Sequence, residues 1–187
     1  MPLNEVERKM KIFLIGFMGS GKTHWGRQLS AKLNMPFYDL DTVIVGNENL
    51  SVSEIFAQKG EEYFRYQEKE TLEKISATEE SFILSCGGGT PCFFNNIEFM
   101  KKNGEVIWLN TSIDMLTERL GRERMSRPLI SDVNEEDLRR YIIRKLSERR
   151  MYYQQADVTV GEESTNLDEL IKLLLSNQQP DRMREEL

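Results

Sequence analysis

Residues 16–23 read GFMGSGKT and fit the pattern G-x-x-x-x-G-K-[ST] at Gly16, Gly21, Lys22 and Thr23. Glycines at these places let the backbone curl so that successive N–H groups point inward at an anion. A helix starting at Lys22 would add the positive end of its dipole. In this phosphate-binding loop Lys22 would reach the outer phosphates of a nucleoside triphosphate, and the Thr23 hydroxyl would ligate Mg²⁺. The loop specifies a donor and leaves the acceptor open.

Three other stretches carry chemistry. Asp39 and Asp41 flank Leu40 directly after a short apolar run. If that stretch is strand-like, residues i and i+2 share a face and both carboxylates point into one site. One would then hold Mg²⁺, and the other would accept a proton from a substrate hydroxyl. Gly87, Gly88 and Gly89 follow the apolar stretch 81–85, and bare backbone of that kind admits a close-lying substrate or makes a tight turn. Ser85 stands where phosphate-loop proteins often place a group that orders Mg²⁺, so Asp39 is the better metal ligand. Arg119, Arg122, Arg124 and Arg127 lie in a charged segment suited to a lid that brings positive charge onto a transferring phosphoryl group. Arg65 and the pair Arg149 and Arg150 are candidates for holding a substrate carboxylate with a bidentate fork.

Helix and strand must alternate to position these residues. Apolar spacing predicts strands near 12–15, 37–38, 81–85, 106–109 and 158–160. Helices are expected over 22–34, 52–57 (ending at Gly60), 61–77, 91–102, 112–120, 135–155 and 166–175. Such alternation means a parallel sheet covered on both faces, with ligands outside the carboxyl ends of the strands. The loop, the aspartates and the glycines each follow a strand, so they converge on one edge.

The whole chain sets limits. Its 187 residues suit one domain, with residues 1–10 expected to be a disordered or appended extension and 176–187 a polar tail. The net charge of −6 disfavours nucleic acid and anionic membranes as partners. Cys86 and Cys92 have no metal or redox spacing and read as reduced packing thiols in a cytoplasmic protein. No signal peptide or apolar membrane span is evident. His24 is the sole histidine, which rules out mechanisms built on histidine pairs.

Over residues 11–175 the chain resembles the shikimate kinase family. The resemblance is carried by GFMGSGKT (16–23), DLD (39–41), SVSEIFAQKGEEYFRYQE (51–68), ILSCGGG (83–89), RPLI (127–130) and ERRMYYQQAD (148–157). It implies a three-layer α/β/α phosphate-loop kinase fold. Its five-stranded parallel sheet would have the order 2-3-1-4-5, with a mobile lid near 119–133. It implies transfer of the γ-phosphoryl group of ATP to the 3-hydroxyl of shikimate, with Mg²⁺, on the route to chorismate and aromatic amino acids, by a monomer. The implied ATP contacts are Gly19, Ser20, Gly21, Lys22, Thr23 and His24, with Arg119 packing on adenine and Arg127 over the phosphates. Thr23 and Asp39 serve the metal. Asp41, Arg65, Gly87, Gly88, Gly89 and Arg149 serve shikimate, with Arg150 as the alternative to Arg149. Catalysis falls to Lys22, Asp41 and Arg127. Two competing readings are a kinase for another polyol acid, such as gluconate, and a nucleotide switch without an acceptor. The switch would be favoured by a guanine-binding N-K-x-D motif, which the sequence lacks.

Overall fold

The computed structural model describes residues 9–123, 134–161 and 166–177. Five strands, β1 (Lys11–Ile15), β2 (Phe37–Asp39), β3 (Phe82–Ser85), β4 (Glu105–Asn110) and β5 (Val158–Gly161), form one parallel sheet in the order β2-β3-β1-β4-β5. Among the described residues the seven α-helices are α1 (Lys22–Leu33), α2 (Leu40–Glu48), α3 (Val52–Thr78), α4 (Asn96–Asn103), α5 (Ile113–Glu123), α6 (Glu135–Tyr153) and α7 (Leu167–Asn177). No helix among the described residues is long and apolar enough to cross a membrane.

The strands are apolar on both faces because both faces are covered. Phe13 and Ile15 of β1, Phe82 and Leu84 of β3 and Val106 and Trp108 of β4 face one core, with Leu40, Ile44, Ile55, Phe64, Leu72 and Tyr153. The alternate residues, Ile12, Leu14, Ile83, Ile107 and Leu109, face a second core with Leu29, Leu170 and Leu174. A third cluster, in which Phe17 meets Leu116, Leu120, Leu138 and Ile142, ties α5 and α6 to the phosphate loop.

Two local expectations change and one holds. Residues 40–48 form a helix, α2, that the sequence pattern did not announce; Asp39 caps it by accepting from Thr42 N. Leu40 and Asp41 therefore lie in a first helical turn, and the strand-like geometry expected for Asp39 and Asp41 does not hold. Gly60 breaks the helix as expected: its φ of 85° and ψ of 168° are non-helical and separate α3 into two helical arms, one before it and one after. The kink is braced from outside, because Glu48 pairs with Lys59 just before it and accepts from Tyr63 Oη just after it at 2.7 Å. Finally, Pro91 opens a short 3-10 turn, Thr90–Cys92, and α4 begins only at Asn96.

Candidate active site

The register sets Asp39 level with Ser85, and Ser85 level with Leu14. The residues following β1, β2 and β3 thus meet at one end of the sheet. There they line a cavity of about 610 Å³, to which Lys22, Thr23, Asp39, Asp41, Gly88 and Arg119 all contribute.

The phosphate loop forms the donor wall. Gly16, Gly19 and Gly21 have φ of 142°, 79° and 89°, a region that side chains resist. Asp39, Ser51 and Asn134 cap α2, α3 and α6 with side chains, whereas α1 has no side-chain cap after Gly21. Its first N–H groups therefore suit an anion. Lys22 is buried and bridges the loop, donating to Gly16 O at 2.9 Å and Phe17 O at 2.8 Å. Ser20 is buried in the loop, and its N–H donates to Phe17 O at 3.1 Å. Thr23 Oγ1 donates to Asp39 Oδ2 at 2.9 Å, which puts a hydroxyl and a carboxylate at one point. That pair fits Mg²⁺, which is commonly held by one or two protein oxygens, substrate phosphates and water. Among the described residues no cluster of three or more His, Cys, Asp or Glu could hold a metal by itself.

Beside this wall lies a second cavity of about 290 Å³, bordered by Trp25, His24, Thr111, Met115, Arg119 and Gly161. Arg119 and His24 border both cavities. Arg119 sits within α5, not in a flexible segment, and its Nη1 donates to Gly19 O at 3.2 Å. Arg127 lies outside the described residues, as do positions 124–133 of the lid expected over 119–133, while 119–123 of it belong to α5.

The acceptor wall is made of buried charge. Arg65 and Glu68, one turn apart on α3, are both buried and pair at 2.7 Å. Thr90 Oγ1 donates to the other oxygen of Glu68 at 2.5 Å. Glu61, more exposed, accepts from Arg65 Nε at 3.1 Å and Nη2 at 2.9 Å. The glycines fill the space between these groups. A Cβ at Gly87 would lie 2.5 Å from Glu68 Oε1 and 3.1 Å from Asp41 Oδ1. At Gly88 it would lie 3.1 Å from Arg149 Nη1, and at Gly89 2.7 Å from Arg65 Nη1. The turn is held from α6 by Tyr153 Oη, which donates to Gly88 O at 2.5 Å. Arg149 is half-buried with its guanidinium 5.5 Å from the Phe17 ring, whereas Arg150 is exposed.

Asp41 stands between the two walls. Its Oδ1 is buried and has no hydrogen-bond partner in the protein. Burial, then the charges of Glu68 and Asp39, push its pKa up to about 6, against the pull of Lys22 and Arg65. A carboxylate in that state is ready to take a proton near neutral pH. Cys86 and Cys92 are free thiols; burial raises both, Cys92 to about 11, so they stay protonated.

The structure thus brings together the described candidates except Arg150, left at the surface, and Arg122, which is exposed and pairs with Glu118 on its own helix. Reading by residue type passed over Glu68, Thr90 and Tyr153. Glu68 had a signal, an acid three residues after an arginine on a helix. Thr90 and Tyr153 had none, since they act through partners 22 and 65 residues away.

Known proteins resemble the chain over nearly its whole length. A family model described as shikimate kinase matches residues 18–178. Shikimate kinase of Azobacteroides pseudotrichonymphae is 39% identical over 165 residues, 88% of this chain and 97% of its own. The Parabacteroides distasonis relative is 39% identical over 153 residues, covering 82% and 88%. The crystal structure of shikimate kinase from Bacteroides thetaiotaomicron superposes with a TM-score of 0.83 at 35% identity, over 89% of this chain and 98% of that one. The Acinetobacter baumannii enzyme, solved in complex with shikimate, gives 0.80 at 31% identity over 92% and 97%. With the sheet order, the phosphate loop and the paired acceptor wall all in place, the chain belongs to the shikimate kinase family.

Proposed function

We infer that the cavity is a two-substrate site in which ATP lies on the phosphate loop and shikimate lies against the glycine turn. The chain catalyses the ATP-dependent phosphorylation of shikimate, a step of aromatic amino acid biosynthesis. The observation that carries the residue assignments is Asp41 Oδ1, a buried and unpartnered carboxylate oxygen between a phosphate site and two arginines.

In this reading Arg65 and Arg149 fix the carboxylate of shikimate, and residues 87–89 admit the ring. That anchoring turns the 3-hydroxyl towards Asp41, which accepts its proton as the oxygen attacks the γ-phosphorus and the bond from the γ-phosphorus to the β–γ bridging oxygen breaks, that oxygen leaving on ADP. Lys22 leaves the loop carbonyls for the phosphate oxygens and stabilises the charge they gather. Arg127 is assigned to the same charge from the lid side. Mg²⁺, when bound, would be held by Thr23 and Asp39 and would neutralise phosphate charge. Arg119 and Trp25 border the smaller cavity, whose flat cationic and aromatic walls suit adenine. The chain acts as a cytoplasmic monomer, apart from nucleic acid and membranes; its net charge of −6 supports the last point.

The test is ADP formation in the presence of ATP and Mg²⁺ with shikimate or gluconate added. Turnover that depends on shikimate is expected. ADP formation indifferent to shikimate and stimulated by gluconate would overturn the acceptor assignment.

A further inference from the structure

We propose that Phe93 is a positioning residue for Arg65, its ring covering one face of the guanidinium so that the fork stays turned towards a substrate carboxylate. The proposal rests on reading Arg65 as the carboxylate anchor. The rim of that guanidinium is partly used: Glu68 takes one N–H of Nη1, and Glu61 takes Nε and one N–H of Nη2, which leaves one N–H on each Nη for a substrate carboxylate. Its plane is covered by aromatic rings. Arg65 Cζ lies 4.7 Å from the centroid of Phe93, against 5.6 Å for Phe64 and 5.7 Å for Phe56. Phe64 belongs to the core and Phe56 packs against it. Phe93 does neither, and remains 37% exposed. A large apolar ring that joins none of the buried clusters lies over this arginine.

The backbone is shaped to place it there. Phe93 is extended, while the next two residues, Phe94 and Asn95, have φ of 50° and 55°. Two successive non-glycine residues in the left-handed region are uncommon and persist only when their surroundings hold them. Asn96 does so: it is buried, its N–H donates to Phe93 O at 2.9 Å, and its Nδ2 donates to Thr90 O at 2.9 Å. The same turn therefore fixes Thr90, which bonds Glu68, and Phe93, which covers Arg65. A ring over a guanidinium also excludes water from that face and strengthens the ion pair at its rim.

The experiment is steady-state kinetics on Phe93→Ala, Phe93→Leu, Phe93→Tyr, Phe94→Ala and Arg65→Ala, with thermal unfolding of each. Phe93→Ala is expected to raise the shikimate KM about three- to tenfold, leaving kcat and the ATP KM within about twofold. Phe93→Tyr is expected to retain the parental KM, and Phe93→Leu to behave like the alanine variant. Phe94→Ala, which removes a neighbouring exposed ring without touching Arg65, is expected to leave the shikimate KM unchanged. In an Arg65→Ala background, Phe93→Ala is expected to add nothing, since the effect acts through that side chain. A full recovery by leucine, an equal effect of Phe94→Ala, or additivity with Arg65→Ala overturns the proposal. A raised KM in Arg65→Ala with none in Phe93→Ala overturns the role of Phe93 and leaves the anchor intact. An unchanged KM in Arg65→Ala overturns the anchor, and Phe93 with it.

Discussion

On the donor side of the cavity most polar groups come from the single stretch 16–23 and many are backbone, with Asp39 and Arg119 joining them from elsewhere. On the acceptor side they come from α2, α3, the turn after β3 and α6, and most are charged side chains. A backbone cradle needs no partner from elsewhere in the chain and stays in place once the strand and helix around it form. The acceptor wall depends on charges that are costly to bury unless each meets its counterpart. Arg65 has Glu68 and Glu61, and Glu68 has Thr90, but Asp41 Oδ1 has none. That oxygen is the one proposed to take the proton of the substrate hydroxyl, and in that reading the electrostatic cost falls on the reacting group.

The largest effect should come from the donor side. Lys22→Ala is expected to lower kcat by about 10²–10³-fold or more, because charge stabilisation at the transferring phosphoryl group is removed. A loss confined to the ATP KM would show Lys22 to be a binding group alone. Asp41→Asn probes the unsatisfied acid. The parent's kcat should rise with pH through about 6, as Asp41 becomes the basic carboxylate, and this limb should vanish in the variant. The stability sign follows from the same shift. A carboxyl raised above its unfolded value favours the fold while protonated and loses that contribution as pH rises through about 6. Asp41→Asn should therefore melt higher than the parent at pH 7.5, with the difference shrinking below pH 6. Equal melting temperatures at pH 7.5 would mean that Asp41 is solvated.

A matched pair of glycine substitutions separates the walls. Gly89→Ala drives a methyl to 2.7 Å from Arg65 Nη1, and should raise the shikimate KM about tenfold or more with little change for ATP. Gly19→Ala forces a side chain at φ of 79° against Leu120, and should raise the ATP KM instead. If each variant shifts both constants equally, the two walls are not independent. The smallest effect is expected from Tyr153→Phe, which removes the donor to Gly88 O and should cost about 1–2 kcal/mol of unfolding free energy by denaturant titration.

The contrast also explains what could be read beforehand. The phosphate loop is contiguous and its geometry follows from residue type. The strands were visible because burial on both faces leaves short apolar runs. The helix α2 was not: residues 42–50 include Gly46, Asn47 and Asn49, poor helix formers, and α2 owes its start to the Asp39 cap and its hold to buried Leu40 and Ile44. Gly60 was legible as a break with a helix resuming at 61, but the angle between the two arms is braced by Glu48 reaching across to Lys59 and Tyr63, which spacing alone does not show. On the acceptor wall Asp41, Arg65 and the glycines could be named, while Thr90 and Tyr153 became meaningful only with their distant partners in view.

The kink at Gly60 has a consequence for how such a site can change through mutation. The arm before it, 52–59, contributes Phe56 beside Arg65 but neither of the buried charges. The arm after it carries Arg65 and Glu68 into the interior. A Cβ at Gly60 would meet nothing within 4 Å, so only its φ of 85° resists substitution there. Apart from buried Ile55 and the Lys59 brace, the exposed positions of the first arm can thus vary in sequence while the charge network and sheet stay put. Acceptor preference can drift along that arm at modest cost to the fold, whereas any revision of the second arm must solve its charge balance in a single step.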